Sequence, residues 1–182
     1  MNIVYQGKTN KGLDILIRYP QIGDDKLMCE YINNLSREKT FVRFQGEEVL
    51  LKDETNYLNS QLQKIEVKEA VMLLVFQDEK LIAIAGINMT DKTAKHIGML
   101  AISVAKDFRG TGVGKVLMEM LLKETKKQIA DLKIVTLEVY EKNAVAQNLY
   151  QKTGFVEYGR LPNGIMRDGR FEDGIFMYKN IS

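Results

Sequence analysis

Val104-Ala-Lys-Asp-Phe-Arg109-Gly-Thr-Gly-Val-Gly114-Lys115 is the stretch that decides the fold. A strand-like segment ends at Val104, a glycine-rich turn follows, and a strongly amphipathic stretch begins at once. Gly110, Gly112 and Gly114 remove side chains where the backbone turns, so consecutive N–H groups can point into one concavity. A helix starting there adds its own unpaired N–H groups and partial positive charge. Such a cradle suits a phosphate or pyrophosphate, and Arg109 and Lys115 stand ready to add charge. A reading without ligand also stands, in which the glycines serve only tight packing of helix on sheet.

Outward from this loop, Val113, Val116, Leu117, Met120 and Leu121 repeat at helical spacing, predicting a helix to about Ala130. Upstream, three strand-like runs follow one another: Val71–Phe76, Leu81–Met89 and about Ala94–Val104. Their short separations predict an antiparallel meander. Downstream, Lys133–Tyr140 is apolar on both faces, as a central covered strand is. The strand–helix–strand unit from Ala94 to Tyr140 makes its two strands parallel neighbours or near-neighbours. Asn143 is a natural N-cap for a short helix and Gly154 a natural stop. Phe155–Ile181 reads as two strands joined around Pro162–Gly169. Leu13–Tyr19 reads as a first strand, followed by a helix capped by Asp24 or Asp25 and a second helix from about Asp53. The expected architecture is α/β: one domain over residues 1–182, with a mixed, mainly antiparallel central sheet flanked by helices.

The charges nearly cancel, 26 Lys+Arg against 24 Asp+Glu, so no basic stripe calls for nucleic acid. Lys123, Lys126 and Lys127 enclose Glu124 and read as a solvated helix face. Cys29 is the single cysteine, which excludes an internal disulfide, and with the single histidine, His96, it is too little for a Cys/His zinc site. No apolar run approaches a membrane span, and Met1–Lys11 lacks the apolar block of a secretory signal. The expectation is a cytoplasmic protein with no membrane or nucleic-acid partner and no metal.

Three phosphate motifs compete for the loop. A P-loop would need glycine where Arg109 stands and a hydroxyl where Val116 stands. A dinucleotide fingerprint would need a third glycine at Lys115, and only 68 residues follow Gly114, too few for the rest of such a domain. The third pattern, (Arg/Gln)-x-x-Gly-x-(Gly/Ala), is met in full by Arg109, Gly112 and Gly114. Here the segment resembles the CoA-binding motif of the GNAT superfamily of N-acetyltransferases. Val104 stands five residues before Arg109, where that family often has valine. Leu137-Glu-Val139, Asn143, Ala146, Leu149-Tyr150 and Gly154-Phe155 are similar to a second family run, in order. Ile17-Arg18 and Gly169-Arg-Phe-Glu-Asp173…Met177 extend the likeness to nearly the whole chain.

The resemblance implies acetyl-CoA as cosubstrate and a primary amine as acceptor. It implies a bulge in the strand ending at Val104, which splays that strand from the next and admits the pantetheine arm. Ile102, Ser103, Val104 and Ala105 would contact the arm; Arg109, Gly110, Thr111, Gly112, Val113, Gly114 and Lys115 would hold the pyrophosphate. The Val104 N–H would face the thioester carbonyl and stabilise its growing charge. Tyr150 would give a proton to the departing thiolate, and Asn143 would bond the pantetheine amide while capping its helix. A packed core tyrosine is the competing reading of Tyr150. The family's glutamate on the Val104 strand falls here on Gly98, which cannot act as a base. His96, two residues earlier, and Glu138 are the candidate bases, and water is a third source. A CoA-binding or regulatory module without catalysis is the alternative. The acceptor, a small-molecule amine or a protein amine, would sit among the two N-terminal helices, the Phe41–Glu48 loop and the tail around Tyr158–Phe171. Homodimers are common in the family, but no residue here establishes one.

Overall fold

The computed structural model describes residues 3–181. Its strands are β1 (Ile3–Lys8), β2 (Asp14–Arg18), β3 (Ala70–Gln77), β4 (Lys80–Met89), β5 (Ile97–Val104), β6 (Ile134–Tyr140), β7 (Val156–Arg167) and β8 (Arg170–Asn180). The α-helices are α1 (Asp25–Arg37), α2 (Leu51–Glu66), α3 (Val113–Gln128) and α4 (Ala144–Lys152). All eight strands form one sheet in the order β1-β2-β3-β4-β5-β6-β8-β7. Every pairing is antiparallel except β5 with β6, the one joined by a helical crossover. Among the described residues no helix is long and apolar enough to cross a membrane.

The sheet has a helix layer on each face. Val71, Leu73 and Val75 of β3 pack with Leu117, Met118 and Leu121 of α3 in one cluster, while Met72, Leu74 and Phe76 pack with Met28, Tyr31, Leu35 and Leu58 of α1 and α2 in the other. This alternation along one strand, Val-Met-Leu-Leu-Val-Phe, is period-two geometry with both faces covered. Arg18 and Asp24 form a buried two-pronged pair at 2.7 and 2.8 Å, with the guanidinium 4.4 Å from the Phe76 ring centroid. Breaking it would strand a charge in the interior.

Several expected boundaries shift, each for a physical reason. β1 escapes the sequence reading because it is an edge strand whose residues are exposed or half-buried, leaving little alternation to detect. Asp24 does sit at the N-cap of α1, but its carboxylate is spent on Arg18 and the Gln21 N–H rather than on a helix N–H. α2 starts at Leu51, ahead of Asp53. β5 starts at Ile97, because a short 3₁₀ turn occupies Lys92–Ala94. β7 runs straight through Pro162, which its edge position tolerates, with a register shift between Leu161 and Ile165.

Candidate active site

β5 and β6 pair only at Ile97↔Ile134, Gly98↔Val135 and Met99↔Thr136. Beyond that point β5 stays paired with β4 to Val104, and β6 with β8 to Tyr140. The sheet therefore opens into a wedge between Leu100–Val104 and Leu137–Tyr140. The β4–β5 register is unbroken from Gly98 to Val104, so the expected bulge is absent there. The splay comes from the loss of pairing with β6. The start of α3 and the second half of α4 close the wedge on one face: a Cβ at Gly114 would lie 3.6 Å from Leu149 Cδ2 and 3.7 Å from Val104 Cγ2.

The main-chain groups of β5 divide between its two neighbours. The Ala105 N–H donates to the Ile82 carbonyl at 2.9 Å, so by alternation Ser103 and Ala101 turn their groups to β4. Leu100, Ile102 and Val104 turn theirs to the opposite edge, where β6 has left. Of the four expected contacts, Ile102 and Val104 therefore face the wedge, the Ser103 main chain is turned to β4, and Ala105 is spent, its N–H on Ile82 and its carbonyl on the Phe108 N–H at 2.9 Å. The Ser103 hydroxyl lies 2.9 Å from the Tyr31 hydroxyl on the α1 side.

At the wedge mouth, Gly110 and Gly112 adopt φ of +75° and +89°, open to glycine at little cost. The Arg109 and Thr111 N–H groups find carbonyl partners at 3.2 and 3.4 Å. Among the described residues, those of Gly110, Gly112, Val113, Gly114 and Lys115 find none. That is the concavity of free donors expected of an anion cradle. Arg109 is turned away from it: Nε donates to the Val104 carbonyl at 2.9 Å and Nη2 lies 2.6 Å from Glu38, at the C-cap of α1. Lys115 is exposed and stands 3.9 Å from Glu119. The loop is held from outside by the β1–β2 turn, where the Thr9 hydroxyl donates to the Thr111 carbonyl at 2.8 Å. Sequence reading missed both Glu38 and Thr9, since each meets the loop across a long stretch of chain and carries no local signal.

Tyr150 lies on α4, 6% exposed, with its ring edge-on to Phe155 at 6.0 Å. Burial pushes its phenol from 10.0 up to about 12, so it stays protonated at neutral pH. Asn143 caps α4 as expected, Oδ1 accepting from the Ala146 N–H at 3.2 Å, which leaves its Nδ2 free of that bond. The candidate bases part company. His96 lies at the closed end of the wedge, its carbonyl accepting from the Lys133 and Ile134 N–H groups at 2.8 and 3.2 Å. Four residues of extended chain, about 13 Å, separate it from Leu100, the innermost open position. That separation weighs against the expected relay role of His96. Gly98 is glycine because a Cβ would collide with Ile87 Cγ2 at 2.5 Å. Glu138 lies on the open stretch of β6, exposed, on the face opposite buried Leu137 and Val139.

That face is walled by the α1–α2 loop and the β7–β8 hairpin. The Tyr140 hydroxyl donates to the Val42 carbonyl at 3.0 Å, Phe41 meets Tyr140 edge-on at 5.7 Å, and the Arg167 guanidinium lies 4.6 Å from the Phe41 centroid. Arg167 in turn holds the buried Glu172 at 2.6 Å. The α1–α2 loop and the β7–β8 hairpin thus meet at Tyr140, two residues along β6 from Glu138 and on the same face of the strand.

Comparison with known proteins agrees with this geometry. The sequence model of the acetyltransferase (GNAT) family matches residues 30–155. The chain is 33% identical over 146 residues to the [ribosomal protein bS18]-alanine N-acetyltransferase of Escherichia coli K12, covering 80% of each chain. Among solved structures, a GNAT-family acetyltransferase from Streptococcus pneumoniae superposes with a TM-score of 0.84 at 28% identity, over 91% of this chain and 99% of that one. The spermidine N-acetyltransferase of Vibrio cholerae, solved with CoA and spermine, shares the fold at a TM-score of 0.75 and 22% identity, over 91% and 95%.

Proposed function

Because the chain belongs to the acetyltransferase (GNAT) family, we propose that it is an N-acetyltransferase that moves an acetyl group from acetyl-CoA to a primary amine. The observation that carries this reading is the wedge between β5 and β6, with a cradle of unpaired N–H groups at its mouth. A pyrophosphate satisfies those donors, and the outward edge of β5 accepts a flexible amide-bearing arm as a sheet edge accepts a strand.

Acetyl-CoA supplies the acetyl thioester whose carbonyl carbon the amine attacks. The N–H groups of Gly110, Gly112, Val113 and Gly114 hold the pyrophosphate. Ile102 and Val104 pair with the arm, and the Val104 N–H donates to the thioester oxygen as it gains charge. Asn143 offers Nδ2 to an arm carbonyl. Glu138 takes the proton that the incoming ammonium must lose, and Tyr150 donates to the sulfur as the carbon–sulfur bond breaks. The amine approaches over Met99 and Ala101, beneath the Phe41 loop. Alanine at a protein N-terminus and polyamines are the acceptor classes to test first, because relatives are named for them.

The test has two stages. At about 100 times its Kd, a native-state ligand adds about 2.7 kcal/mol, or about 5–10 °C in Tm for a chain of this size. Acetyl-CoA should give that shift, and ATP and NAD should not. Release of free CoA thiol is then followed with alanine-ended peptides and spermidine. A Tm unmoved by acetyl-CoA refutes the reading.

A further inference from the structure

We propose that Thr9, on the turn between β1 and β2, is a positioning residue for the pyrophosphate cradle. The inference rests on the function proposed above and names a part of the site that the loop motif does not contain.

The Thr9 side chain reaches 102 positions along the chain to donate to the Thr111 carbonyl at 2.8 Å, and Thr9 is only 4% exposed. A trans peptide is planar, with its C=O and the following N–H pointing in opposite directions. Holding the Thr111 carbonyl against the hairpin therefore turns the Gly112 N–H away from it. This is the glycine at φ +89°, where α3 begins. A flip of that one peptide would remove a donor from the cradle and point a carbonyl oxygen at the phosphate instead. Glycine flanks the peptide and resists such a flip poorly, so the restraint must come from outside the loop. Thr9 supplies it. Asn10 adds a steric stop: its Oδ1 fills the space that a Cβ at position 112 would need.

The hydroxyl is not required by its own turn. Main-chain bonds from Thr9 N–H to the Leu13 carbonyl at 2.8 Å and from Gly12 N–H to the Thr9 carbonyl at 2.9 Å already close it. The two N–H groups that approach the hydroxyl, from Lys11 and Leu13, are longer, at 3.3 Å.

The experiment measures, by calorimetry on the full chain, the affinity of wild type, Thr9→Val and Thr9→Ser for CoA and for pantetheine, which lacks the pyrophosphate. Thr9→Val keeps the shape and removes the donor. Its Kd for CoA should rise about tenfold, the loss of one oriented hydrogen bond. Thr9→Ser should restore CoA binding to within about twofold, and pantetheine, titrated at millimolar concentration, should bind all three alike. Unchanged CoA affinity in Thr9→Val overturns the proposal. So does a parallel loss for CoA and pantetheine, which would mean general damage to the fold, and so does failure of Thr9→Ser to rescue. Wild type that binds no CoA refutes the function proposed above, and this inference falls with it.

Discussion

Replacing Tyr150 by phenylalanine separates the acid from the core tyrosine. The ring is 6% exposed and packs on Phe155, so Tyr150→Phe keeps its contacts. No hydrogen bond to the hydroxyl is found among the described residues, so removing it costs the fold less than about 1 kcal/mol. The size of the kinetic effect follows from acidity. The phenol is pushed up to about 12, whereas a thiol has a pKa of about 8.5. Full proton transfer to the thiolate is therefore uphill by about 5 kcal/mol, and the hydroxyl acts as a hydrogen-bond donor to the developing charge. General-acid effects span about 10²–10⁴-fold, and this mismatch puts the loss in kcat near the bottom, about 10²-fold. KM for acetyl-CoA should stay within about twofold, because the need arises in the transition state. The assay is free-thiol release under conditions where chemistry limits turnover. A pH titration adds a second reading. The folded-state pKa lies above the unfolded 10.0, so the proton's contribution is fully present below pH 10 and is lost as pH rises toward about 12. Wild type should therefore lose more stability than Tyr150→Phe across that window. Near-wild-type turnover in Tyr150→Phe refutes the acid assignment and leaves Tyr150 as packing alone.

Gly112→Asp drives a side chain into Asn10 at a φ of +89°, where any L-residue is strained; the displaced loop loses its aligned donors, and CoA binding should weaken by more than about 10²-fold. A folded variant with native affinity would remove the loop from the site. Glu138→Gln should lower kcat by about 10²-fold, most strongly at acidic pH where free amine is scarce, while His96→Asn should leave the pH–rate profile unchanged. The opposite pattern would exchange the two assignments. Asn143→Ala removes the cap on Ala146 and should cost about 1 kcal/mol, or about 2–4 °C in Tm. A melting curve identical to wild type would show that the cap carries no load.

The sequence by itself determined the elements whose evidence is local. Three glycines before a 3.6-residue stripe marked the cradle and α3. Strand-like runs and short turns marked β3, β4 and β5, and Asn143 and Gly154 bracketed α4. These signals are legible because turn conformation, capping and amphipathic period are properties of neighbouring residues. Edge strand β1 was hidden, since a strand that buries little needs no pattern. The tertiary structure alone decided which way each peptide and side chain faces. It gave Ile102 and Val104 to the wedge and Ser103 to β4, because main-chain direction depends on which neighbour takes the hydrogen bonds. It set His96 at the closed end of the wedge and Glu138 on the open stretch of β6, because the point where β5 and β6 part is fixed by pairing between strands more than thirty residues apart. It also brought Thr9 and Glu38 onto the loop, since a hydrogen bond or ion pair between distant segments leaves no trace in the composition or spacing of either one.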